Sequence, residues 1–201
     1  WAGLADCGLH ARAACGNTVR NVTASSTAGI DPNELFDVSP YAYTAYSTFI
    51  RNPICQEMGR KMKIGFSASE EDSAFTFIHD FGFIPKIQDG KRGFSVVVGG
   101  GLGAQAFMAQ KAYGFLEEDQ IIPFMEAGLR VFDRYGERLR RHKARMKYLI
   151  KDLGMEKWME LVEEERTATK HKSFKIDLNI IPEAQPAPEK QAPEVIIEDK
   201  K

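Results

Sequence analysis

Cysteine is nearly absent: Cys7, Cys15 and Cys55 are the three in a chain of 201 residues. With no CxxC pair and no fourth ligand near the Cys7–Cys15 gap, they offer neither a disulfide framework nor a tetrahedral metal set. They fit a reducing compartment, so cytoplasmic residence is the expectation. No apolar run approaches the ~18 residues that cross a bilayer, and no basic segment leads into an apolar one at the start. Neither a membrane span nor a secretory signal is expected, which leaves the Asn21-Val22-Thr23 sequon without a glycosylation context. An excess of one charge is lacking too. The formal net charge is −1, which argues against wholesale binding to nucleic acid or membrane surfaces and leaves local basic patches open. Because the chain starts at Trp1 and not at Met, a fragment or processed product is expected.

What is present is an ordinary globular composition, 43% hydrophobic and 27% charged, long enough to bury a core. Residues 1 to 30 are rich in Gly, Ala, Ser and Thr and read as loop with short extended pieces. Ser39-Pro40 reads as a helix N-cap followed by proline at the first helical position, with "YAYTAYSTFI" carrying the helix to about Asn52 before Pro53 stops it. "GRKMKIGFSAS" alternates like a strand, "AFTFIHDFGFIPKI" is a second strand region, and "KRGFSVVVGGG" is a third after a turn at Asp89-Gly90. From Ala104 onward the period becomes helical. Ile122, Met125, Leu129 and Phe132 form one apolar stripe, and Met146, Leu149, Ile150 and Leu153 form another. Met155, Trp158, Met159 and Val162 repeat the spacing after Gly154, a C-cap candidate. These methionines and aromatics read as core. "SFKIDL" reads as a final strand. The expected fold class is α+β, a mixed or antiparallel sheet with helices packed after it, in one domain over residues 1–175. Residues 176–201, rich in Pro and charge, read as a disordered linker or tail.

Three stretches carry candidate chemistry. In "VVVGGGLGAQAF", Gly99, Gly101 and Ala104 fit a GxGxxA dinucleotide fingerprint, with acids at 117 to 119 near the usual distance, but no parallel strand follows. A tight turn with backbone close to a large ligand is the other reading. In "RKMK", Lys61 and Lys63 share one face of a strand, with Arg60 and Met62 on the other. Two adjacent ammonium groups face either water, on a defended edge strand, or a multiply charged anion. "RYGERLRRHKARMKYLIK" carries eight Lys or Arg against the single acid Glu137, a pattern for a solvated helix face or for docking an acidic partner. His79-Asp80 reads as a hydrogen-bonded core pair.

Together "CGNTVRNVTAS", "GRKMKIGFSASEEDSAFTFIHDFGFI", "GFSVVVGGGLG" and "RYGERLRRHKARMK" resemble the sirohaem-binding portion of the ferredoxin-type nitrite and sulfite reductases, in the family's order and spacing, over roughly residues 3–165. The resemblance implies two cofactors, sirohaem and a [4Fe–4S] cluster, and six-electron reduction of sulfite or nitrite bound to the sirohaem iron. It implies electrons from a donor such as ferredoxin or a flavoprotein. Arg20 matches the Arg of the RNVT motif that lines the anion pocket, beside Asn21. Arg60, Lys61 and Lys63 match the basic strand whose two lysines reach the substrate. Gly99, Gly100 and Gly101 match the glycine loop that packs near the macrocycle. The family's cluster is held by C-x5-C and C-x3-C pairs in a second half of the chain, and none of Cys7, Cys15 or Cys55 fits. The resemblance therefore implies a central piece of a longer reductase, inactive alone. Ser25-Ser26 and "SASEEDS" stand where many members carry cysteines that do not ligate the cluster. Lysine at both alternating positions of the basic strand resembles the sulfite pattern. Plant-type nitrite reductases carry Asn at the second.

Overall fold

The computed structural model describes residues 2–8 and 16–180. Cys15 and the Pro-rich segment from 181 onward lie outside the described residues. In chain order the main elements are α1 (Ala2–Asp6), β1 (Val19–Ala24), α2 (Ser39–Phe49), β2 (Met62–Phe66), β3 (Phe81–Gln88), β4 (Lys91–Val98), β5 (Gln110–Glu117), α3 (Ile121–Tyr135), α4 (Met146–Leu153) and α5 (Met155–Ala168). The five strands form one sheet in sequence order, β1-β2-β3-β4-β5. The β1/β2 and β2/β3 pairs are parallel, and the β3/β4 and β4/β5 pairs antiparallel. The fold is thus α+β with a mixed sheet, as the patterning implies.

Local chemistry explains each start and stop. Pro40 stands in the first turn of α2, where its missing N–H costs nothing, and Asp37 Oδ1 accepts the Ser39 N–H at 2.8 Å. Ser39 is therefore the first helical residue, and Val38 holds the cap position. The expected turn at Asp89-Gly90 closes the β3/β4 hairpin with both residues at positive φ, 52° and 75°, the pair a two-residue turn of matching twist requires. In β2, Met62, Ile64 and Phe66 are wholly buried, so the alternate residue Lys63 emerges on the opposite face. α3 buries Ile122, Met125, Leu129 and Phe132 against the sheet side of one contiguous core that also takes in Trp158 of α5. Gly128 permits this approach: a Cβ there would meet Phe81 Cζ at 2.8 Å.

Besides the Ser39 cap, three expectations fail. β5 is a strand where helix was expected after Ala104. The chain turns at a Gly101–Phe107 bridge and returns antiparallel beside β4, so ladder pairing overrides a half-exposed, weakly alternating sequence. "SFKIDL" is not a strand. It is irregular chain, pinned by the Phe174 N–H to Asp119 O at 2.8 Å and by burial of Ile176. The basic run from 134 to 151 is not one helix. α3 ends at Tyr135, a loop and a 3-10 turn (Arg141–Lys143) follow, and α4 begins only at Met146.

Candidate anion-binding site

A cleft of about 460 Å³ opens on the face of the sheet that Lys63 occupies. Arg60, Lys61 and Lys63 form its first wall, at the start of β2. Ile78 and His79, from the turn entering β3, form a second. Leu102, Gly103 and Ala104, just beyond the glycine run, form a third, and Arg141, His142, Arg145, Lys147 and Tyr148 close the fourth. Lys61 and Lys63 share this face, as strand alternation requires. Arg60 joins them instead of opposing them, because it lies in a bend before β2 begins and the alternation does not reach it.

The cleft is strongly cationic. Burial, followed by the charges of Arg20, Lys63, Arg145 and Arg60, pushes the Lys61 ammonium below its ordinary proton affinity. No ion pair among the described residues uses Lys61, Lys63 or Arg20. Arg20 lies in β1, where the β1/β2 register shifts between Val19 and Asn21, and Asn21 stands opposite Lys63. Such a bulge re-aims a side chain, and Arg20 acts on Lys61 by charge without itself walling the cleft.

Beneath the cleft sits Asp80, fully buried. Its carboxylate accepts from Arg145 Nη2 at 2.9 and 2.8 Å and from the Lys63 backbone N–H at 2.9 Å. Its own N–H donates to Lys63 O at 3.0 Å, and its carbonyl accepts the Gly99 N–H at 2.9 Å. Burial pushes this carboxyl upward, while the Arg145 guanidinium and the Lys63 amide pull it back. Donors on both oxygens favour the anion. The expected His79–Asp80 pair is absent: His79 Nδ1 donates to Phe75 O at 2.9 Å, and Asp80 pairs with Arg145 instead.

The glycines serve packing. Gly99 has φ 80°, and a Cβ on Gly100 would collide with the carbonyl oxygens of Phe77 and His79. A Cβ on Gly101 would press on Arg145 Nη2 at 3.2 Å. Lys147 Nζ donates to the carbonyls of Gly101, Leu102 and Gln105, so the loop is stitched to α4, and burial lowers the proton affinity of that ammonium. Since β5 follows and not a helix, the run lacks the helix N-terminus on which a pyrophosphate would rest. The dinucleotide reading fails on this point.

The basic run divides by role. Arg138 binds Glu57 O and Asp133, and Arg140 pairs with Glu137, while Arg141 and His142 face the cleft. A single solvated helix face is not what these residues build. His79, Arg141, His142, Arg145 and Lys147 are the cleft members that strand and helix periodicity missed, since they lie on turns and at a helix start. Cys55 is buried, its thiol pushed up to about 12 by burial, and Cys7 is exposed. Among the described residues, no group of three His, Cys, Asp or Glu could hold a metal, and no helix is long and apolar enough to cross a membrane.

The family profile described as "Nitrite and sulphite reductase 4Fe-4S domain" matches residues 15–170. The chain belongs to that family. It is 33% identical over 166 residues to "Sulfite reductase [ferredoxin] 1" of Mycolicibacterium paratuberculosis, covering 82% of this chain and 30% of the relative. It is 30% identical over 167 residues to the chloroplastic "Ferredoxin--nitrite reductase" of Zea mays, covering 80% and 29%. Among solved structures, the Mycobacterium tuberculosis NirA protein superposes with a TM-score of 0.73 at 31% identity, over 84% of this chain and 31% of that one. A dissimilatory sulfite reductase I shares the fold, with a TM-score of 0.57 at 11% identity. The chain thus spans about 30% of the length of the curated relatives it matches.

Sirohaem and a [4Fe–4S] cluster are the cofactors of this family. The donor set of the cleft fits the first, because a tetrapyrrole bearing carboxylates needs cations such as Lys61 and Lys63, which make no ion pair among the described residues. No thiolate set among the described residues fits the second.

Proposed function

We propose that this chain forms the sirohaem- and anion-binding part of a sulfite reductase with residual nitrite activity. The observation that supports it is the unpaired, mutually repelling Lys61–Lys63 pair on one wall of a cationic cleft. Cations left in such proximity are stabilised when an anion arrives, and they bind it more strongly because they are partly desolvated. In this reading Arg60, Arg141 and the Leu102–Ala104 segment, set in place by the close-packed Gly99–Gly101 run, hold the macrocycle's periphery, with Asn21 beside it. Arg20 orients the substrate oxyanion, while Lys61 and Lys63 hold it and pass protons from their ammonium groups to departing oxygens. Sirohaem, when bound, supplies the iron that carries electrons to the substrate. Residues 176–201 then link to a further segment bearing the cluster thiolates, and ferredoxin or a flavoprotein supplies the electrons.

Charge favours sulfite over nitrite in this reading. Sulfite is close to a dianion near neutral pH and nitrite a monoanion, so a third cation beside Arg20 and Lys61 gains more with sulfite. At about 4 Å and an effective dielectric near 20, each added charge pair contributes on the order of 4 kcal/mol, and desolvation removes part of it. Lys63→Asn in the full-length parent should therefore lower kcat/KM for sulfite much more than for nitrite. Equal losses, or a wild type that strongly prefers nitrite, would assign the chain to nitrite reduction instead.

A further inference from the structure

An acid beneath a site for anions calls for a reason, since its charge opposes the ligand. Asp80 cannot act on that ligand directly. It is fully buried, and its two oxygens are occupied by Arg145 and the Lys63 N–H. What it touches instead are two of the four walls and the glycine run that leads into a third. It brackets Lys63 through both backbone groups, holds the first residue of the glycine run through its carbonyl, and grips the guanidinium that precedes α4. Arg145 in turn lies against Gly101. Left without that carboxylate, Arg145 would be repelled by Lys61 and Lys147, whose proton affinities its charge already lowers.

We infer that Asp80 is a positioning residue that assembles the cationic cleft, clamping Lys63 and Arg145 together from beneath so that the ammonium groups stay aimed at the ligand. This rests on the reading of the cleft as the anion site. The bond pattern supports it: a fork-to-carboxylate contact fixes direction as well as distance, and a residue bracketed at both N–H and C=O cannot rotate its side chain off the strand face. Arg145, with its charge consumed by Asp80, contributes field and position and not a direct grip on the ligand.

The sign of one substitution separates this from simple electrostatics. In the full-length parent, if charge alone governs the cleft, Asp80→Asn removes a repelling anion and lowers KM for sulfite. If Asp80 positions, the same change raises KM by about tenfold while kcat changes by less than about threefold. Arg145→Lys sharpens the contrast, because it keeps the charge and loses the fork. The clamp predicts a similar rise in KM, and charge alone predicts none. Should Asp80→Asn not fold, Arg145→Lys carries the test. The independent readout is amide hydrogen exchange in the chain without substrate. Exchange at Lys63 should accelerate by about tenfold or more in either variant, while the β3/β4 hairpin stays protected. A lowered or unchanged KM in a folded variant overturns the clamp. If the full-length parent reduces neither anion, the functional reading fails, and the exchange at Lys63 still decides the clamp: unchanged protection overturns it.

Discussion

The two faces of β2 teach opposite lessons. On one, Met62, Ile64 and Phe66 sink into a core of aromatic rings, with Phe66 stacked on Phe83 at 4.7 Å and Phe94 edge-on to both. On the other, Lys63 and its neighbours gather like charges that repel one another. The first face is held by many small, non-directional contacts. The second is held by a few directed bonds centred on Asp80. A core of that kind tolerates the loss of any one polar bond and suffers when volume is removed. The cleft responds in the reverse way, and substitutions should sort accordingly.

The largest effect should come from emptying the core. Phe81 is buried and sits edge-on to Phe124 with Gly128 against its ring, so Phe81→Ala should cost about 3–5 kcal/mol in urea unfolding. If the loss is below about 1 kcal/mol, the core is not packed as described. Filling Gly128 with Val should act through the same contact, lowering stability by about 1–3 kcal/mol by forcing α3 away from β3.

Next comes the cleft. Lys61→Gln removes a cation whose proton affinity is lowered by burial and like charges, so the unliganded fold should be no less stable while anion binding weakens. The sign is fixed by the direction of the shift. A base whose folded pKa lies below its unfolded one costs stability while both states are charged, and the cost lifts as pH rises through the folded pKa. Wild-type stability should therefore gain relative to Lys61→Gln as pH rises into that range. A parallel pair of stability curves would remove the repulsion from the account.

A smaller effect belongs to Glu137, which accepts from the Leu139 and Arg140 N–H groups at 2.8 and 3.1 Å and from Arg140 Nε at 2.6 Å. Those bonds pull its carboxyl down to about 2 from an ordinary 4.5. Its contribution is complete above the ordinary value and is lost as pH falls toward the folded one, loosening the turn that delivers Arg141 to the cleft. Carboxyl titration by NMR checks it. The smallest effect is the exposed Lys91–Glu117 pair across β4 and β5, where Lys91→Ala should leave the urea unfolding midpoint indistinguishable from wild type.

Periodic burial was legible in the sequence, and so were signals tied to one residue's backbone. The stripe of α3, the Asp89-Gly90 turn, the proline start of α2 and the shared face of Lys61 and Lys63 all follow from alternation, helical spacing or special φ. What escaped depended on partners distant in sequence. β5 looked helical because its strand state comes from pairing with β4, and "SFKIDL" alternated with no free ladder to join. Asp80 looked like a partner for His79 because adjacency is visible in sequence and Arg145 is not. The basic run read as one helix since charge spacing cannot show Glu137 and Gly136 breaking it. Matching motifs to a family singled out Arg20 and the basic strand as candidates. The bonds that hold those residues in place came only from the fold.

The strand order has a consequence in time. β3, β4 and β5 form a meander whose pairs close over short loops, whereas β1 reaches β2 only after the whole of residues 25–61 has been laid down between them. Closing that longer loop costs more chain entropy before any contact repays it. The meander should therefore form early, with Asp80 already at its entrance, and the parallel strand that carries Arg20 should dock last. In pulsed hydrogen exchange during refolding, amides of 81–98 should be protected before those of 19–24. The cleft would then receive the charge of Arg20 only in the last step of folding, and lose it first when the molecule begins to open.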